Sequence, residues 1–370
     1  MTKKVTVLVG AGSIGQAIIR RVSAGKHVVL ADYSVENAER AAKTLEDAGF
    51  ECSTFKCDLG SKEDILKLVE FSTSKGEVTN VVNAAGVSPS QAPEAEILRV
   101  DLYGTSVLLE EFGKVIAEGG SGVIISSQSG HRLPALSQEQ NEALATTPVE
   151  GLLELPFIKA IDDTLKAYQY SKRCNVLRVM YEATRWGRRG ATINSISPGI
   201  IITPLANDEL HGPRKDGYLK MIEGMPARRA GTPDEVGDLA EFLMSSRGRF
   251  ISGADLLIDG GCTASYWYGD LQYLKAPHEY CNIMKKLRTI ALALCAVIAA
   301  LACGSSIRDA SSKTTVENWL KKLGVDKQST AIQSARTRSA NSGRKYALNG
   351  QPTNSQSKIY IQNNKKFINK

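Results

Sequence analysis

The sequence predicts an α/β fold: a doubly wound parallel sheet with helices on both faces, then a short apolar helix and a largely disordered basic tail. Three observations carry this reading. Short continuous apolar runs of strand length alternate with longer stretches in which apolar residues recur at helical spacing. The strand runs are apolar throughout, as expected of strands buried on both faces of a parallel sheet. The rhythm stops after Tyr268, and from Gly304 onward the chain is rich in Ser, Asn, Gln, Lys and Arg, a composition that cannot offset the entropy of ordering.

The elements follow in order. Residues 5–9, VTVLV, form a strand ending in glycine, and SIGQAIIRRVSAG continues as a helix. HVVLAD and VENAERAAKTLEDAG repeat the pair, as do ECSTFKCD with KEDILKLVEFSTSKG and VTNVVNAAG with EILRVDLYGTSVLLEEFGKVIAEGG. GVIISSQSG, a long helix around 163–187, ATINSISPG and the final strand ADLLIDGG complete the sheet near residue 261. These boundaries give one domain over 1–269, a linker at 270–283, an apolar segment at 284–303 and a polar basic tail at 304–370.

Composition narrows the function. The net charge of +7 is uneven: residues 284–370 hold 16 Lys and Arg against 3 Asp and Glu (+13), leaving 30 against 36 (−6) in the first 283. The basic excess lies wholly in the tail, so the domain is not expected to bind nucleic acid. The seven cysteines form no CxxC pair and the four histidines stand far apart, so no metal site is expected and a reducing compartment suits the thiols. Lys3 and Lys4 lead straight into the first strand without a targeting pattern, so the domain is expected in the cytoplasm.

Gly10-Ala11-Gly12-Ser13-Ile14-Gly15 is GxGxxG placed directly after a strand and opening a helix, the Rossmann-like arrangement. Glycines let the backbone approach a pyrophosphate, and the helix N-terminus supplies N–H donors. Asp32 ends the second strand, where a carboxylate takes the ribose hydroxyls of NAD and repels the 2′-phosphate of NADP. NAD is therefore the expected cofactor, with NADP less favoured.

AYQYSKRCN sets Tyr168 and Lys172 four residues apart on one helical face. A free tyrosine titrates near pH 10; lowering that by about three units requires roughly 4 kcal/mol of differential stabilisation, which a nearby ammonium and a positive nicotinamide would share. GVIISSQSG puts Ser126 and Ser127 at the carboxyl end of a strand, where open parallel sheets bind ligands. SISPGIIITP offers Pro198, Gly199, Ile201 and Thr203 after the next strand.

Together these residues resemble the short-chain dehydrogenase/reductase family over residues 3–269. Asp58-Leu59 after the third strand, Asn83-Ala84-Ala85-Gly86 after the fourth, RAGTPDEV at 229–236 and Asp259-Gly260-Gly261 fit the same pattern. The resemblance implies hydride exchange between NAD(H) and a secondary alcohol or ketone. It gives Tyr168 the role of general acid/base, Ser127 that of hydrogen-bonding the substrate oxygen, Lys172 the nicotinamide ribose, Thr203 the carboxamide and Asp58 the adenine. Members of that family are often dimers or tetramers, which makes a homo-oligomer possible, and the insertion before the Tyr168 helix could block or reshape that interface.

Three departures stand out. The glycine turn is one residue shorter than TGxxxGxG. The asparagine of the family's proton relay is Asp101, whose charge beside a lysine is expected to shift the pH optimum. Ser127 and Tyr168 stand 41 residues apart, beyond the usual spacing. The extra segment, roughly 131–166, leaves the sheet beside the site and is expected to form part of a substrate lid; a surface or oligomer-modifying insertion is the alternative. A second lid candidate is LANDELHGPRKDGYLKMIEGM after Thr203. His131, Arg132, Arg214 and Lys215 are either solvated charge or a site for an anionic substrate. The competing function is a nucleotide sensor on the same fold that has lost turnover, which Asp101 favours and the Ser127, Tyr168 and Lys172 set opposes.

MKKLRTIALALCAVIAALACGSS, from Met284, resembles a bacterial lipoprotein signal: three basic residues, a 13-residue apolar run from Ile290 to Ala302, then Cys303. Ala300 stands where a large aliphatic residue is usual. Two joined reading frames, a membrane anchor with the enzyme on the cytoplasmic side, or a helix packing on the enzyme would each account for it. Membrane contact is expected only through 284–303, if at all.

Overall fold

The computed structural model describes residues 2–204, 206, 210 and 215–275, together with 359–362 and 365–368. The chain divides into two units, Met1–Asn282 and Ile283–Lys370.

In the first unit seven strands form one sheet: β1 (Lys4–Val9), β2 (His27–Asp32), β3 (Glu51–Lys56), β4 (Glu77–Asn83), β5 (Ser121–Ile125), β6 (Thr192–Pro198) and β7 (Asp255–Ile258). Their order is β3-β2-β1-β4-β5-β6-β7, and every neighbouring pair is parallel. The order reverses between β1 and β4, which opens a crevice at the carboxyl ends of the strands. This is the doubly wound fold expected from the alternating pattern.

The pleat sends successive side chains to opposite faces, and a core lies on each. Val5, Val7 and Val9 of β1 pack with Phe112 and Trp186, whereas Leu8 packs with Ile18, Ile19, Val236 and Leu243. The first face is covered by α3 (Lys62–Lys75), α5 (Thr105–Gly113) and α9 (Thr164–Gly187), the second by α1 (Ser13–Val22), α2 (Val35–Glu46) and α11 (Pro233–Met244). Serine and threonine caps start several of these helices: Ser34 accepts from the Asn37 N–H (3.1 Å), and Thr232 forms a capping box with Glu235.

The fourth helical stretch departs from a plain α-helix. A short turn, α4 (Glu94–Ile97), leads into a π-helical segment over Leu98–Gly104 before α5 begins. Asn175 of α9 answers the widened ladder. With its amide nitrogen facing them, it donates to the carbonyls of Asp101 (2.9 Å) and Ser171 (3.1 Å).

The segment at 131–166 is largely helical, and its middle is packed into the core. After α6 (Gln128–His131) it forms α7 (Gln138–Thr146), a 3₁₀ turn over Val149–Glu154 and α8 (Pro156–Lys159). Leu144, Val149, Leu152, Ile158 and Ile161 join the core shared with α5 and α9. Lys62 and Glu150 pair across 2.6 Å, Arg173 donates to Asn141 Oδ1 (3.3 Å) and Arg178 to the Thr147 carbonyl. Burial of these apolar side chains binds the middle of the insertion to that core, while Arg132 and Leu165 at its two ends line the crevice.

The domain closes with α10 (Lys215–Gly224) and α12 (Cys262–Tyr268). In the second unit the described residues form an antiparallel pair, β8 (Ile359–Gln362) and β9 (Lys365–Ile368), an element the polar composition of 304–370 does not predict. The signal-like segment 284–303 lies outside the described residues. Among the described residues no helix is long and apolar enough to cross a membrane.

Candidate active site

The glycine turn is built by close approach. Gly10 has φ +86°, and a Cβ there would lie 2.4 Å from the Ala85 nitrogen. A Cβ on Gly15 would lie 2.6 Å from the Gly10 carbonyl oxygen and 2.8 Å from a Leu8 methyl, so the third glycine lets α1 sit against β1. Gly12 differs: a Cβ there would meet nothing within 4 Å, and as the N-cap of α1 it offers no side chain to the first N–H groups. Open space over uncapped donors fits a pyrophosphate.

Asp32 is tied to this turn. Its Oδ2 accepts from the Ala11 N–H (2.8 Å) and its Oδ1 from the Ser34 N–H (2.9 Å), which holds the carboxylate at the end of β2. Asp58 accepts from the Gly60 N–H (2.8 Å) and from Arg99 Nη1 (2.9 Å), so one of its oxygens is already paired with a guanidinium. Leu59 beside it is buried. Asn83 is buried as well: its amide donates to Thr105 Oγ1 (3.1 Å) and accepts from the Ala85 N–H (3.2 Å), so it shapes the turn after β4.

At the carboxyl ends of β4, β5 and β6 lies a cavity of about 650 Å³. Of the residues singled out in the sequence, Ile14, Ala84, Ala85, Gly86, Ser126, Ser127, Tyr168, Lys172, Pro198, Gly199, Ile201 and Thr203 line it. Gly10, Gly12, Ser13, Gly15, Asp32, Asp58, Leu59, Asn83 and Asp101 do not.

Ser127 caps α6, and its Oγ accepts from the Ser129 N–H (3.1 Å), which leaves its own hydrogen for the cavity. Ser126 is buried and donates to the Lys172 carbonyl (2.8 Å), fastening β5 to α9. One turn apart on α9, Lys172 carries its Nζ 5.3 Å from the centre of the Tyr168 ring. Thr203 Oγ1 accepts from the Ala206 N–H (3.1 Å).

Asp101 sits beneath the cavity, fully buried, its Oδ2 3.0 Å from Lys172 Nζ and its Oδ1 accepting from the Val87 N–H (2.9 Å). The π-helical turn delivers it there, 71 residues from its partner in sequence. Burial pushes the Asp101 carboxyl up, and the ammonium and the Val87 N–H pull against it. Burial also works against the Lys172 ammonium, but Asp101 and Tyr168 outweigh it and raise the lysine. The two groups titrate as a pair. Gly86 lies over them: a Cβ there would stand 3.1 Å from both Lys172 Nζ and Asp101 Oδ2.

Sequence reading did not single out Gln128, Leu165, Met221 or Tyr266, which also line the cavity. Met221 on α10 belongs to the stretch after Thr203 that the sequence offers as a second lid candidate, whereas Tyr266 on α12 arrives from an element that carries no motif. Trp267 Nε1 donating to the His131 carbonyl (3.0 Å) fastens α12 to α6. Of the four basic candidates, Arg132 lines the cavity, His131 pairs with Asp255 (2.6 Å), Lys215 is exposed outside the cavity lining, and Arg214 lies outside the described residues. Among the described residues no group of three or more His, Cys, Asp or Glu could hold a metal ion.

A doubly wound sheet with a glycine turn at its switch point and a Ser-Tyr-Lys set in the adjoining crevice defines a dinucleotide-dependent oxidoreductase. Residues 3–138 match the family model described as short chain dehydrogenase, and residues 158–263 the one described as enoyl-(acyl carrier protein) reductase. The short-chain dehydrogenase/reductase bsc3 of Alternaria brassicicola is 37% identical over 266 residues, covering 71% of this chain and 97% of that protein. The D-threitol dehydrogenase of Mycolicibacterium smegmatis is 30% identical over 271 residues, covering 70% and 93%. Among solved structures, a short-chain dehydrogenase/reductase from Serratia marcescens matches with a TM-score of 0.57 at 23% identity, covering 70% of this chain and 98% of that one. The chain belongs to the short-chain dehydrogenase/reductase family, whose members are oxidoreductases that bind a nicotinamide dinucleotide.

Proposed function

We propose that the chain is an NAD-preferring dehydrogenase/reductase that interconverts a secondary alcohol and its ketone. The reading is carried by one observation: Ser127, from the end of β5, lines one cavity with Tyr168 and Lys172 of α9. When bound, the nicotinamide supplies or accepts the hydride. Everything else is positioning and proton handling by the chain's own groups.

In this reading Ser127 donates its free hydrogen to the substrate oxygen. Tyr168 takes the hydroxyl proton during oxidation and returns it during reduction. Lys172 favours the phenolate and holds the ribose. Asp32 is the basis for NAD over NADP, because a carboxylate held at the end of β2 by two backbone N–H groups repels a 2′-phosphate. Gly10, Gly12, Ser13, Ile14 and Gly15 form the pyrophosphate turn, Asp58 and Leu59 flank the adenine, and Thr203 takes the carboxamide.

The sensor reading draws on one specific observation, the buried carboxylate that partly neutralises Lys172. Turnover separates the two. Tyr168→Phe removes the proton acceptor without changing the fold or the dinucleotide turn, so NAD reduction with secondary alcohols should fall by at least about 10²-fold while NAD binding by calorimetry stays near wild type. Persisting turnover in that variant would refute the assignment of Tyr168.

A further inference from the structure

Arg132 follows directly on α6, the turn that Ser127 opens, and lines the same cavity as Ser127 and Tyr168. Its guanidinium is half-buried and, among the described residues, has no carboxylate partner. Nη1 donates to the Met221 sulfur (3.1 Å) and Nη2 to Ser129 Oγ (3.2 Å), both uncharged and the first a weak acceptor. The guanidinium carbon lies 5.7 Å from the centre of the Tyr266 ring, and Nε is buried with no acceptor among the described residues.

Two carboxylates at the ends of the neighbouring strand, Asp255 and Asp259, are committed elsewhere. Asp255 takes His131, Ser195 and Ser197, and Asp259 takes the N–H groups of Gly261 and Thr263. Withdrawing a cation from water without a counter-charge is costly, and the planar fork of arginine matches a carboxylate in two-point contact. The wall around it is apolar, with Met221, Tyr266 and Leu165 among its side chains.

We infer that Arg132 binds a carboxylate of the substrate, so that the preferred substrate is a hydroxy or keto acid with an apolar body between its carbinol carbon and its acid group. This rests on the dehydrogenase reading above and deepens it by naming the substrate class. The carbinol end meets Ser127 and Tyr168, and the acid end supplies the counter-charge that the described residues do not.

The test measures kcat/KM with NAD for 3-hydroxybutyrate and 4-hydroxycyclohexanecarboxylate, each against its own methyl ester, in the full-length protein and in Arg132→Gln and Arg132→Lys. Wild type should favour at least one acid over its ester by on the order of 10- to 100-fold, the range of a charge-assisted hydrogen bond. Arg132→Gln should bring that ratio close to one, chiefly through KM for the acid, and Arg132→Lys should restore part of it. Esters oxidised as well as acids, or an Arg132→Gln effect equal on both, would overturn the inference while leaving the dehydrogenase reading in place. If no alcohol is oxidised, that reading fails instead, and binding of unreactive cyclohexanecarboxylate to the NAD-saturated protein decides the inference. Binding weakened by Arg132→Gln upholds an anion site, and absence of binding rejects it.

Discussion

Replacing Asp101 by Asn tests how this protein tunes its proton acceptor. Asparagine keeps the shape and can still accept from the Val87 N–H, but it removes the negative charge 3.0 Å from Lys172 Nζ. The ammonium is also 5.3 Å from the Tyr168 ring centre. For two charges on the order of 7 Å apart, an effective dielectric of about 20 gives roughly 2 kcal/mol, or about 1.5 pH units. The sign follows from the charges. In the wild type the carboxylate offsets the ammonium and disfavours a second anion nearby. Without it the lysine favours the phenolate more strongly, so the rising limb of the pH profile for alcohol oxidation moves to lower pH. Solvent and bound cofactor screen the effect, and a shift of about 1 unit is expected. The assay is kcat/KM for a secondary alcohol from pH 5 to 10 at saturating NAD, with NAD affinity measured in parallel. An unmoved limb, or one displaced to higher pH, would refute the argument; the second result would mean that the lone buried lysine loses its proton once Asp101 is gone.

Two further outcomes follow from the cofactor side. Gly10→Ala forces a left-handed residue to carry a Cβ that would lie 2.4 Å from the Ala85 nitrogen, so stability should fall by about 2 kcal/mol or more and NAD affinity with it, as read by thermal melts and calorimetry; wild-type values would show that the turn can relax. Asp32→Asn removes the charge but keeps an oxygen for a backbone N–H, and the ratio of NADP to NAD affinity should rise at least about 10-fold, whereas an unchanged ratio would place cofactor choice elsewhere.

Much of this protein is legible before any coordinates. Buried parallel strands must be apolar throughout, helices must repeat their apolar residues near every third or fourth position, and the glycine turn must follow the first strand; all three signals are local, and each places its element. Tyr168 and Lys172 are legible for the same reason, because one helical turn fixes their relation. Asp101 is visible as an odd residue in a familiar position, but its ion pair is not, since only the π-helical turn and α9 bring it to Lys172. The segment at 131–166 shows the converse. Its position beside the site suggests a lid, yet Leu144, Val149, Leu152, Ile158 and Ile161 are buried in the core shared with α5 and α9, and its ends, Arg132 and Leu165, are the parts that reach the cavity. Arg132 illustrates the same limit. A sequence records a basic residue; whether a carboxylate answers it depends on which chains of atoms the fold packs around it. The sequence by itself determined the sheet, the glycine turn and the Tyr168–Lys172 pair on one helical face, because those rest on short-range periodicity. Only the tertiary structure decided which charges are paired, which cavity they face and what the insertion covers, because those contacts join residues far apart along the chain.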